Sequence, residues 1–192
     1  MRTITVINNV TLDGVMQAPG GAEEDTRDGF TQGGWAVPYH DEVMMREMSK
    51  GFGTTELLFG RRTYQQFYSF WPQQTDNSFT EVLNNTQKYV ASTTLSEPLP
   101  WQNSTLLGPD AVSAVAELKQ QPGRDLVLLG SGVLINALAA NDLIDEYTLM
   151  IHPLVLGAGR RLFAGDTQAS LKLVDSVPTS TGVIIATYQP AR

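Results

Sequence analysis

Leu126-Val127-Leu128-Leu129-Gly130-Ser131-Gly132 is the stretch on which the fold turns. Four apolar residues in a row make a strand apolar on both sides, as in a parallel sheet covered on both faces. The run ends in glycines, and a helix is expected from there to about Ala140. Glu56-Leu57-Leu58-Phe59 followed by Gly60-Arg61-Arg62-Thr63-Tyr64 repeats the arrangement. Its helix runs to about Phe70 and is stopped by Pro72. A strand opening directly into a helix is half of a βαβ unit.

The flanking sequence fits the same scheme. Residues 2–8 alternate β-branched and polar side chains and read as a strand; residues 87–92, 104–107 and 147–152 read likewise. A helix is expected over 40–51, with Val43, Met44, Met48 and Phe52 at helical spacing and Asp41 and Glu42 in its first turn. Another is expected over 110–120, with Asp110 as cap and Gly123 beyond its end. Residues 171–177 and 183–188 flank Ser180-Thr181-Gly182, a hairpin signal. The order is βαβα and then strands only. It predicts an α/β fold: a mostly parallel mixed sheet with helices on both faces and a C-terminal antiparallel hairpin at one edge. No repeat, linker or low-complexity segment interrupts residues 1–192, so a single domain is expected. The loop from Thr11 to Gly21 carries Asp13-Gly14 and Pro19-Gly20-Gly21 and is long enough to suggest a functional lid.

Composition narrows the function classes. The chain has 192 residues, 42% hydrophobic and 17% charged, which are globular values. Its net charge of −7 argues against a nucleic-acid partner. No apolar run reaches the length of a membrane span, so no membrane partner is expected. Met1 to Ile7 reads as a strand rather than a signal peptide, which makes the cytoplasm the default location. There is no cysteine and there are two histidines, so no metal site is expected. Against this acidic background Arg61-Arg62 and Arg160-Arg161 stand as pairs beside glycines, which suggests a small anionic ligand.

Three strand ends could hold such an anion. Gly130-Ser131-Gly132 exposes backbone N–H groups at a helix start without a Cβ in the way. It is not the Rossmann fingerprint, because Ile135 stands at the third glycine position and Met150 where the acidic residue belongs. Gly60-Arg61-Arg62-Thr63 adds two guanidinium groups and a hydroxyl, and planar guanidinium forks suit phosphate. Ser92-Thr93-Thr94 adds small hydroxyls at a third strand end. In an open α/β sheet ligands lie beyond the carboxyl ends of strands, so the three together read as a phosphate-rich ligand site.

These motifs resemble the dihydrofolate reductase-like superfamily, in the branch similar to the C-terminal reductase domain of the bifunctional riboflavin biosynthesis protein. The resemblance rests on Thr11-Leu12-Asp13-Gly14, Gly60-Arg61-Arg62-Thr63-Tyr64, Val90-Ala91-Ser92-Thr93, Leu129-Gly130-Ser131-Gly132 and His152-Pro153-Leu154-Val155-Leu156-Gly157-Ala158-Gly159, in that order along nearly the whole chain. It implies a three-layer α/β/α fold, a homodimer, and NADPH-dependent hydride transfer to a pterin-like or ribosylamino-pyrimidine substrate. It places Arg61 and either Ser92 or Thr93 facing the 2′-phosphate of NADPH, with Gly60 and Arg62 among the cofactor-binding residues. Thr63 and Gly130, Ser131, Gly132 and Val133 would lie at the pyrophosphate. The loop over 11–20 would cover nicotinamide and substrate, with Asp13, Trp35 and Arg160 as substrate-side candidates. Dihydrofolate reductases carry a carboxylate on the helix after the first loop; Asp41 is the nearest match here and the catalytic candidate, with Glu42 its rival. With no cysteine in these 192 residues, no counterpart of the riboflavin enzyme's zinc deaminase is expected here, which leaves the substrate open. Two alternatives stand beside the reductase: a non-catalytic or repurposed nucleotide-binding dimer of the same fold, and a true dihydrofolate reductase.

Overall fold

Alternation decides the first element. In β1 (Ile4–Thr11) the side chains of Ile4, Val6, Asn8 and Val10 are buried and those between them are half-exposed, as a period of two requires. A computed structural model describes residues 1–51, 53–165 and 168–191. Along it follow α1 (Glu42–Ser49), β2 (Glu56–Gly60), α2 (Arg61–Phe70), α3 (Ser78–Asn85), β3 (Lys88–Ala91), β4 (Ser104–Leu107), α4 (Ala111–Gln120), β5 (Leu126–Leu129), α5 (Gly132–Ala139), β6 (Glu146–His152), β7 (Leu171–Pro178) and β8 (Ile184–Pro190). The predicted α/β order is present, parallel first and antiparallel at the C-terminal end. The helix expected over 40–51 is shorter, because Asp41 caps it through the Met44 N–H and Lys50 is already extended; Phe52 lies outside the described residues. Helix α3 was not predicted. Its eight residues are too few for a sustained periodic signal, although Asn77 caps it by accepting the Phe79 N–H.

The chain forms two compact units interleaved in sequence, Met1–Thr5 with Gly51–Ile144 and Val6–Lys50 with Asp145–Arg192. In the first, β4, β3, β2 and β5 pair in that order and all pairings are parallel. Leu57, Phe59, Tyr64, Leu83, Val90 and Trp101 form a buried cluster there, and each large apolar side chain contributes about 1.5–3 kcal/mol by leaving water. In the second unit β8 pairs antiparallel with both β6 and β7, and Met44, Met150, Val183 and Ile185 form a core beneath α1. A second cluster of Val15, Ala18, Phe30, Trp35 and Ala36 fills the long segment after β1. That segment is therefore a packed structure with its own core.

Candidate functional site

The parallel register sets β5, β2 and β3 side by side with their C-terminal ends at one edge, Gly60 opposite Ala91. Beyond those ends the backbone turns sharply. Gly130 and Ser131 have φ of +55° and +63°, both left-handed, which costs a serine about 1–2 kcal/mol. Two bonds hold it there. Ser131 Oγ accepts the Gly60 N–H at 2.8 Å and donates to Thr63 Oγ1 at 2.8 Å. Glycine is required on both sides of this link: a Cβ at Gly60 would lie 2.9 Å from Ser131 Oγ, and one at Gly130 would lie 3.0 Å from Thr63 Oγ1. Helices α2 and α5 start at this turn, and neither has a side-chain cap, so their first N–H groups remain available. Arg61 is half-buried and Arg62 exposed; among the described residues neither guanidinium has a hydrogen-bond or ion-pair partner. The structure thus brings together Gly60, Arg61, Arg62, Thr63, Gly130, Ser131, Gly132 and Val133, four of them on each side of one turn. Ser92 and Thr93 follow the neighbouring strand; Ser92 Oγ accepts the N–H groups of Thr94 and Leu95, and Thr93 is exposed.

In the second unit the segment after β1 and the loop after β6 are bonded into one body. Asp13 accepts from Thr11 Oγ1 at 2.6 Å, Leu156 N at 3.2 Å and Gly157 N at 2.9 Å, and pairs with Arg161 at 3.7 Å. The Thr11 hydroxyl, with the two backbone N–H groups, holds its carboxyl below the usual carboxylate range. Gln17 is buried and bridges both loops: its amide donates to the carbonyls of Asp25 and Arg27, and its oxygen accepts the Arg160 N–H at 2.9 Å. The Arg160 side chain pairs with Asp28 at 2.7 Å. The Trp35 indole donates to the Gln17 carbonyl at 2.7 Å. Gly159, at φ +113°, lets the loop touch Val15 and Phe30, where a Cβ would lie 2.7 Å and 2.8 Å from their side chains.

Three of the candidate residues are engaged by such contacts. Asp13 and Arg160, the substrate-side candidates, make their ion pairs and hydrogen bonds within the loops. Asp41, the proton-source candidate, is saturated by local bonds: Oδ1 accepts the Met44 N–H at 2.7 Å, and Oδ2 accepts the Ser180 N–H at 2.7 Å and its hydroxyl at 2.6 Å. Those bonds, led by the Ser180 hydroxyl, hold it below the ordinary carboxylate range, and a carboxyl kept ionised is a poor acid near neutral pH. Its rival Glu42 is exposed on the first turn of α1.

The histidine that ends β6 before Pro153 reads from the sequence as structural or hydrogen-bonded rather than catalytic, and the structure agrees. His152 is fully buried; Nε2 lies 2.9 Å from Asn9 Oδ1, and Nδ1 has no hydrogen-bond partner among the described residues. Trp35 and Tyr39 meet its ring edge-on at 5.1 and 5.4 Å. Burial, reinforced by nearby His40, pushes its pKa down to about 4, so the imidazole is neutral. Asn9 lies on β1 and Trp35 far along the loop, so no local pattern announces the contact.

The sequence profile of the RibD C-terminal domain family matches residues 2–185. The chain belongs to that family. Its similarity extends to the protein YyaP of Bacillus subtilis (strain 168), itself uncharacterised, which is 30% identical over 175 residues, covering 85% of this chain and 89% of YyaP. Among solved structures it is similar to a putative riboflavin biosynthesis protein from Shewanella sp. PV-4, with a TM-score of 0.69, 22% identity and 99% of each chain covered. It is also similar to the dihydrofolate reductase from Enterococcus faecalis complexed with NADP(H) and RAB-propyl, with a TM-score of 0.66, 13% identity, and 99% and 97% covered. At these identities the two structures establish the fold alone, the dihydrofolate reductase-like α/β fold; membership of the RibD C-terminal domain family rests on the profile.

Proposed function

We propose that this RibD C-terminal-like chain is an NADPH-dependent reductase acting on a pterin-like or ribosylamino-pyrimidine substrate. The observation that carries the reading is the pair of guanidinium groups, Arg61 and Arg62, without a partner among the described residues, at a glycine turn whose first helical N–H groups have no side-chain cap. A cation held without a counter-charge beside open N–H groups favours a phosphate-bearing ligand. Gly60 and Gly130 keep the backbone bare where a pyrophosphate would approach, and Thr63 and Ser131 fix that backbone. Ser92 and Thr93 extend the hydroxyl-bearing edge. The complex of the Enterococcus enzyme with NADP(H) supports the cofactor class. NADPH would supply the hydride; the chain's part is to bind and orient it and to let a proton reach the reduced group. With Asp41 held ionised, water is the proton source for the reduced nitrogen or oxygen. A second reading, a nucleotide-binding member without reductase activity, gains from that same engagement of Asp41. For a partner we propose a second copy of the chain, for which Leu173, Val174 and Ile184 offer exposed apolar surface; sedimentation velocity tests it, and a monomer at micromolar concentration counts against it.

The decisive experiment is calorimetric titration of the protein with NADPH and NADH. NADPH binds more tightly in the wild type, and Arg61→Ala weakens NADPH roughly 10- to 100-fold while leaving NADH nearly unchanged, since a hydrogen bond to a charged group is worth about 1.5–3 kcal/mol. No detectable NADPH binding would sink the reading. Loss of NADPH absorbance on adding dihydrofolate or a ribosylamino-pyrimidine separates the reductase from the silent binder.

A further inference from the structure

Lys88, the first residue of β3, is wholly buried and has no carboxylate partner among the described residues. Lysine is almost never fully buried without one. Its Nζ donates to the carbonyls of Leu83 at 2.7 Å and Thr86 at 2.6 Å, and more weakly to Asn84 at 3.4 Å, all at the C-terminal end of α3. The ammonium also lies 4.6 Å from the centre of the Trp101 ring. Three carbonyls and an aromatic face are what a protonated amine can use fully; a neutral amine has one proton fewer and no charge for the ring. Trp101 is fixed in turn: its indole N–H donates to Asn84 Oδ1 at 2.7 Å and its backbone N–H to Tyr64 Oη at 3.0 Å. Tyr64 follows Thr63, whose hydroxyl is tied to Ser131. At the other end of the four-residue strand β3 the chain enters Ser92.

We infer that Lys88 is a positioning residue for the nucleotide end of the site, its buried ammonium fixing the origin of β3 and, through Trp101 and Tyr64, the seat of Thr63. This rests on the nucleotide reading of the glycine turn. The charged form dominates at neutral pH, and burial lowers the Lys88 pKa to about 8; the alkaline form loosens the grip. The titratable groups on the elements packed against it are Tyr64, reached through Trp101, and Glu81 in the first turn of α3; Tyr89 follows it on β3, and Glu56, paired with Arg2, precedes its β2 register partner Leu57.

The test is NADPH affinity of the whole chain from about pH 6.5 to about 10, with the lysine side-chain nitrogens followed by NMR. Affinity is expected to fall roughly 3- to 30-fold as Lys88 titrates, the range of coupling through a packed network. Lys88→Met binds weakly with no such alkaline limb, and Lys88→Arg, which stays charged, restores affinity without the limb. Preference for NADPH over NADH is unchanged throughout, because Arg61 is untouched. An affinity flat through the Lys88 NMR transition overturns the inference. Should the Lys88 variants not fold, Trp101→Phe carries the comparison, and a wild-type limb that persists unaltered in it counts against the network. If the wild type binds no NADPH at any pH, the nucleotide reading fails by itself. The Gly60 and Ser131 amide signals then decide: movement with the Lys88 transition supports the coupling, and indifference to it removes the inference.

Discussion

At the scale of single residues the glycine turn and the buried polar groups make the sharpest demands. Gly130→Ala places a side chain at φ +55° and a Cβ against Thr63. It is expected to cost about 1–2 kcal/mol and to weaken NADPH binding more than NADPH-independent folding, read by denaturant melts beside calorimetry. A melt and an affinity both unchanged would show that the turn tolerates a Cβ. Gln17→Ala removes the donor to the part-buried Asp25 carbonyl and the acceptor of the Arg160 N–H, while the Arg27 carbonyl keeps the Phe30 N–H. A loss of about 1–3 kcal/mol is expected for each uncompensated buried group that water cannot reach, visible in urea denaturation. The histidine sets an acid limit. His152 in the folded chain takes up a proton only near pH 4, against an ordinary value of 6.5. Between those values the unfolded chain binds more protons. Stability is therefore complete above about 6.5 and falls as pH drops through the window, by about 3 kcal/mol in all. Denaturation midpoints of the wild type and His152→Phe between pH 4 and 6.5 check this, and a wild-type midpoint that holds steady over that range contradicts it.

At the scale of elements the clearest case is α1. Asp41 is at once its N-cap and its tie to Ser180 in the turn between β7 and β8. Asp41→Ala is expected to lower the thermal midpoint and fray α1, while turnover per folded molecule stays within a few-fold of wild type. A catalytic acid would instead lose roughly 100- to 10,000-fold, so a fall of that size in kcat at an unchanged melting point would restore Asp41 to the chemistry. The carboxyl's lowered pKa gives the sign for pH: its contribution is present above the ordinary carboxylate value and disappears as pH falls through the depressed one. Elements with strong local patterns were legible beforehand. β5 was readable from four apolar residues, and α4 from Asp110, whose carboxylate accepts the Ser113 N–H at 3.1 Å. α3 was not, because an eight-residue helix is selected by packing of Leu83 into the first unit's core rather than by its own periodicity.

For the whole molecule, binding and stability are linked. NADPH at about 100 times its Kd stabilises the folded chain by about 2.7 kcal/mol, which raises the melting temperature by roughly 5–10 °C for a protein of this size. NADH at the same concentration should shift it less, and equal shifts by calorimetry would remove the 2′-phosphate from the account. The sequence by itself determined the α/β class, the position of the parallel strands and the grouping of Gly60-Arg61-Arg62-Thr63 with Gly130-Ser131-Gly132. Each of those depends on residues within one strand and the turn that follows it, where hydrophobic period, glycine conformation and charge act over a few positions. Only the tertiary structure decided the partners of Asp13, Asp41, Arg160, Gln17, His152 and Lys88. A carboxyl group free to take up and pass on a proton and a carboxylate saturated by Ser180 have the same local sequence; so do a solvated lysine and one enclosed by Leu83, Thr86 and Trp101. The partner that settles a polar group's protonation and role arrives from distant positions in the chain, and folding alone brings it there.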